Sequence, residues 1–138
     1  MSTEYLVLLY GDESIWENAT PEEREAAFAA HGRFSDACTE GGHEITGGAE
    51  LASSRTARTV RRTTDGTSLT DGPFAETVEQ IGGFYLVRTD DVDALAALVA
   101  THLSDTAELR PMIADDPDAE EAATSAAAGA PVSPGGGA

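Results

Sequence analysis

Lysine is absent from this chain of 138 residues. Its eight basic side chains are all arginine (Arg24, Arg33, Arg55, Arg58, Arg61, Arg62, Arg88, Arg110) and face 25 Asp and Glu, for a formal charge of −17. So acidic a surface repels nucleic-acid phosphates and anionic membranes, so neither is an expected partner. At about 1 M salt the Debye length shrinks to roughly 3 Å, where a dense carboxylate surface becomes tolerable. The charge therefore points to a salt-rich cytoplasm, with a GC-rich genome that trades lysine codons for arginine as the other source of the bias. Cysteine is nearly absent as well: Cys38 alone permits no internal disulfide and no multi-cysteine zinc module. No apolar run approaches the ~20 residues of a membrane-spanning helix. The start, MSTEYLVLLYGD, has neither the basic segment nor the long apolar segment of a secretory signal, so the cytoplasm is the expected compartment. Aromatic residues make up only 6%, and no repeat of solenoid length is present.

What is present reads as one domain over residues 1–113, followed by a tail over 114–138 with five acids, no base and a Pro/Gly/Ala ending. Such a tail buries too little apolar surface to offset chain entropy and is expected to be disordered. Glu4–Tyr10 is a nearly continuous apolar run, the pattern of a strand covered on at least one face. An irregular connection holding Trp16 leads to Thr20-Pro21-Glu22-Glu23, which combines an N-cap threonine, proline at the first helical position and glutamate three residues after the cap. The helix it starts carries Ala27, Ala30, His31, Phe34, Ala37, Cys38 and Gly41 on one face and stops at Gly41-Gly42. His43–Leu51 is a strand whose Gly47-Gly48 pair marks a bulge or a close backbone approach. Asp65-Gly66 sets a hairpin turn, and Gln80–Thr89 is an aromatic and aliphatic strand. Asp90 caps a second helix that presents Val92, Leu95, Ala96, Val99, His102 and Leu103, and Leu109–Ile113 closes the domain as a strand. The order β, α, β, β, β, α, β, with an elaborated hairpin, is that of an α+β, ferredoxin-like fold, one antiparallel sheet with two helices on one face. The other face, holding Leu6, Leu8, Phe84 and Leu86, would be left in water, so a homodimer through the open sheet face is expected.

Several residues could carry chemistry. Asp71-Gly72-Pro73-Phe74 reads as a turn whose carboxylate accepts backbone N–H bonds and whose Phe74 anchors the loop. The same turn could instead bring Asp71 and Glu76 to a pocket mouth, with the Gly82-Gly83 backbone close to a ligand. His31 lies on the apolar stripe of the first helix, where an imidazole serves either as a general base or as a core residue satisfied by a backbone carbonyl. His31, His43 and His102 lack the short ligand spacing of a zinc site, so no metal is assigned. Cys38 reads as a small buried hydrophobe. Arg55, Arg58, Arg61 and Arg62 either clamp a carboxylate ligand or neutralise neighbouring acids.

Taken together, the stretches LVLLYGDE near the start, Asp71-Gly72-Pro73-Phe74 followed by Ala75-Glu76-Thr77, Glu79-Gln80-Ile81-Gly82-Gly83-Phe84-Tyr85 and ELRPMI at the end resemble the YCII-related family, in particular its DGPF branch. The resemblance runs from Tyr5 to Ile113. It implies a ferredoxin-like domain of the dimeric α/β barrel type, a His–Asp pair, and members that look like small-molecule lyases beside many with no assigned activity. His31 stands at the position matching that histidine. For the acid, Glu40 lies near the matching place and Asp36 is the nearer aspartate, but at 100° per residue neither shares a helical face with His31. Two function classes follow: a small-molecule acid–base enzyme, or a non-catalytic binding, accessory or regulatory module. In the first, His31 is the base, Asp71 or Glu76 is its polar partner, and Phe74, Gly82, Gly83, Tyr85 and Arg110 shape or bind. No cofactor is implied.

Overall fold

The computed structural model describes residues 2–114, so the expected tail lies, but for its first residue, outside the described residues. The element order is β1 (Thr3–Asp12), α1 (Glu13–Glu17), α2 (Pro21–Glu40), β2 (Glu44–Glu50), a 3-10 turn (Ser54–Thr56), β3 (Arg58–Thr63), β4 (Gly66–Asp71), β5 (Glu79–Thr89), α3 (Val92–His102) and β6 (Thr106–Pro111). β1 and β5 are the long central strands of a four-stranded antiparallel sheet ordered β2-β5-β1-β6, which gives the ferredoxin-like α+β arrangement.

Alternation along the central strands sorts their side chains. Val7, Leu9 and Val87 point to the helices and, with Phe34 and Cys38 of α2 and Leu95, Val99 and Leu103 of and just after α3, form the buried core. Each such side chain contributes about 1.5–3 kcal/mol of burial. The neighbours Leu6, Leu8, Phe84 and Leu86 stand on the far face and are half-buried. α2 begins as its sequence dictates: Thr20 accepts from the Glu23 N–H at 3.1 Å while the Glu23 carboxylate accepts from the Thr20 N–H at 2.8 Å.

Four expectations are corrected. The hairpin β3–β4 is not part of the main sheet but a separate two-stranded ribbon, because its side chains are too polar to pack as a further sheet layer. The connection holding Trp16 contains the short helix α1, started by Asp12, whose carboxylate accepts from the Ser14 N–H at 2.9 Å and Oγ at 2.6 Å. α3 is capped by Asp91 rather than Asp90, through the Ala94 N–H at 3.0 Å, and its Ala96 is exposed. The last strand is Thr106–Pro111 rather than Leu109–Ile113, since its pairing with β1 runs from Tyr10↔Thr106 to Tyr5↔Pro111.

The glycine pair in β2 sits beside an irregularity where Ile45 pairs with Val87 and Gly47 with Leu86, which leaves Thr46 unpaired. A Cβ on Gly48 would stand 2.7 Å from the Phe84 carbonyl oxygen, so β2 reaches β5 there only as glycine. Gly82 is the extra residue in β5, between the pairs Leu9↔Gly83 and Tyr10↔Ile81.

Candidate functional site

The β5 bulge, the end of β1, α1 and the first half of α2 enclose a cavity of about 1110 Å³ on the helix side of the sheet. Its wall holds a polar pair that bridges sheet and helix: His31 Nδ1 of α2 lies 2.6 Å from the Tyr85 hydroxyl of β5. The pair follows from two periodicities. Tyr85 shares the helix-facing parity of Val87, and His31 lies one turn before Phe34, which packs on the Tyr85 ring at 5.2 Å between centroids. Burial raises the Tyr85 pKa above its ordinary value of 10.0, and the nearby Cys38 and Asp105 push it further the same way. Tyr85 is therefore a neutral phenol that can both donate and accept, and a hydrogen bond at Nδ1 leaves Nε2 as the free nitrogen of His31.

The mouth is acidic and aromatic. Trp16 and Phe28 meet edge to face at 5.6 Å, and the Arg24 guanidinium lies over the Trp16 ring at 5.2 Å. Arg24 is spent there, donating to the Trp16 and Glu17 carbonyls at 3.0 and 3.1 Å. Of the lining carboxylates, Asp12 caps α1, Glu13 holds the Ser54 N–H and hydroxyl, Glu17 pairs with Arg55 at 2.7 Å and Glu23 closes the capping box. Glu50 and Asp105 line the cavity with no hydrogen-bond partner among the described residues.

The structure gathers some of the expected residues and separates others. His31, Tyr85, Gly82 and Gly83 line the cavity. Gly83 serves the sheet, because a Cβ there would lie 3.1 Å from the Ala49 carbonyl, whereas Gly82 faces open space. Asp71 lies outside it, exposed at the end of β4 and 3.4 Å from the Arg58 guanidinium. Phe74 is exposed beneath Arg61, 4.8 Å from its ring centroid. Glu76 borders a separate shallow recess of about 340 Å³ with Ser54, Arg55 and Pro73. Arg110 pairs opposite Leu6, hence on the far sheet face, where it binds Glu108. None of Asp36, Glu40 or Asp71 bonds to His31, and the Tyr85 hydroxyl does. Asp36 and Glu40 are exposed, on the side of α2 turned from the sheet.

The other histidine near the core is structural, with His43 Nδ1 bonded to the buried Thr89 hydroxyl at 2.7 Å. Among the described residues no three of His, Cys, Asp and Glu come close enough together to hold a metal ion. Cys38 is buried, and burial raises its thiol pKa to about 11, which makes it inert near neutral pH. Reading the sequence alone missed Trp16, Arg24, Glu50 and Asp105. A tryptophan in an otherwise polar connection was the only local hint of them.

The model of the YCII-related domain matches residues 3–103. An uncharacterized protein of Rhizobium meliloti (strain 1021) is 36% identical over 89 residues, 64% of this chain and 71% of that protein. With the family's match covering both central strands, α2, α3 and both His31 and Tyr85, the chain belongs to the YCII-related domain family.

Proposed function

We propose that this protein binds a small molecule in the cavity beneath α2 and performs acid–base chemistry on it, with His31 as the base. The observation that carries this reading is the 2.6 Å His31–Tyr85 contact on the wall of a cavity of about 1110 Å³. In the productive tautomer Nδ1–H donates to the Tyr85 oxygen, and the Nε2 lone pair takes a proton from the ligand. Tyr85 keeps its own proton and orients the ring. Gly82 leaves the backbone of β5 open to the ligand. The DGPF stretch at 71–74 supports placing the chain in that branch of the family and acts here as a structural turn rather than as part of the acid–base pair.

The test is a thermal-shift screen of the full chain in concentrated KCl against small phenols, carboxylic acids and amines, with His31→Ala and Tyr85→Phe alongside. A ligand at about 100 times its Kd stabilises by roughly 2.7 kcal/mol. A compound that raises the wild-type midpoint but not that of His31→Ala, and that is consumed by the wild type, supports the enzyme. Binding that survives His31→Ala with no compound consumed would establish instead the accessory, non-catalytic module.

We also propose that two copies pair through the open sheet face. What supports this is the row Leu6, Leu8, Phe84 and Leu86, apolar and only half-buried in a single chain. Leu8→Arg should then yield a monomer in sedimentation, and an unchanged mass would remove the pairing.

A further inference from the structure

The β3–β4 ribbon stands apart from the main sheet, its strands pairing, among the described residues, only with each other. A two-stranded hairpin by itself is marginal in water, so a ribbon about 20 Å long with an exposed apolar pair calls for a cover. Arg58, Val60 and Arg62 share one side of β3, opposite Asp71, Leu69 and Thr67 of β4. Val60 and Leu69 form a cross-strand apolar pair, 67% and 54% exposed. Charge marks the same place. Residues 55–71 hold four of the eight arginines and only two aspartates, in a chain whose remainder is overwhelmingly acidic.

The matching surface is on the same molecule. The cavity mouth exposes Ile15 (71%) and Phe28 (56%) beside the carboxylates of Glu17, Glu50 and Asp105. The ribbon's foot already touches this rim, through the Arg55–Glu17 pair at 2.7 Å and the bonds from Ser54 to Glu13. Those bonds hold the foot at its own mouth, while Val60 and Leu69, further along the ribbon, stay exposed.

We propose that the β3–β4 ribbon is an exchange arm: it lays Val60, Leu69 and its arginines across the cavity mouth of a second copy, so that each site is closed by its partner. Two chains of charge −17 repel over most of their surfaces, and the ribbon is where a basic, apolar surface can meet an acidic, apolar one. The contact is reciprocal, as a two-fold assembly requires. It rests neither on the chemistry assigned to His31 nor on the sheet-face pairing.

The experiment uses the full chain with Leu69 replaced by the photo-crosslinker p-benzoylphenylalanine, in an equal mixture of ¹⁴N- and ¹⁵N-labelled protein. The expected product is a mixed-isotope adduct to the cavity mouth, at Ile15, Phe28 or the segment around Glu50. In parallel, Arg58→Glu with Val60→Ser and Arg62→Glu should weaken self-association by about tenfold or more in sedimentation equilibrium with an unchanged far-UV spectrum. Adducts confined to one chain, to the partner's ribbon or to residues 115–138, or unchanged association of the triple variant, would overturn the arm. Leu8→Arg separates the two interfaces. If it leaves association intact while the ribbon adduct persists, the sheet-face pairing fails and the arm stands, and the opposite pattern removes the arm alone.

Discussion

The Tyr85 hydroxyl is the group on which the candidate chemistry turns, because it engages one nitrogen of His31 and leaves the other free. With a substrate from the screen, His31→Ala should lower kcat by about 10²–10⁴. Tyr85→Phe should fall between it and the wild type and cost roughly 1 kcal/mol of stability through the lost bond. Equal rates for all three proteins would place the chemistry elsewhere. His31 was legible because it interrupts an apolar helical stripe. Its partner was not, since the two lie 54 residues apart and only strand parity and helix phase bring them together. Cys38 carries a different prediction. Its thiol pKa is 9.0 in an ordinary setting and about 11 in the fold, so above pH 9 the unfolded chain loses the proton first. Stability should therefore be intact below pH 9 and fall by roughly 2–3 kcal/mol as the pH rises through about 11. Tyr85 adds to the loss in the same direction above pH 10. Urea titrations at pH 8 and near pH 11, compared between wild type and Cys38→Ala, check this; a fall of equal size in the variant would assign it to other groups.

Elements divide into those written locally and those that need a neighbour. α2 is local: Thr20→Ala removes one half of a reciprocal cap and should cost about 1 kcal/mol in chemical denaturation. Its stop at Gly41-Gly42 and the Asp65-Gly66 hairpin were equally readable, as glycine holds positive φ at Gly42 (82°) and Gly66 (129°). The two sheet irregularities were not readable in detail. Which residue of β2 is extra depends on the register with β5, and Gly48 is required by a carbonyl of that other strand. Gly48→Ala should destabilise by more than about 1 kcal/mol, whereas Gly82→Ala, with open space around it, should be nearly neutral to folding and diminish ligand binding instead. Denaturation midpoints of the two variants distinguish these costs. The ribbon shows the same boundary: its strands and turn are local, but whether they join the main sheet depends on what a neighbouring edge can pair with.

At the scale of the whole molecule, 25 acids and eight arginines set a repulsion that salt should relieve. The unfolding midpoint is expected to rise from about 0.1 M to about 2 M KCl, and equal midpoints would show that the acidity has another origin. The amino-acid sequence alone settled the composition-level properties, the α2 cap, the hairpin turn, the ferredoxin-like α+β class and the family motifs, because each rests on residues a few positions apart or on sums over the chain. Tertiary structure alone decided that His31 meets Tyr85 and not a carboxylate, that Asp71, Phe74 and Arg110 lie away from the cavity, and that Trp16, Glu50 and Asp105 lie on its wall. The physical reason is that a site is made by surfaces brought together from distant segments. Strand register and helix phase choose those meetings, and neither is encoded within any one segment.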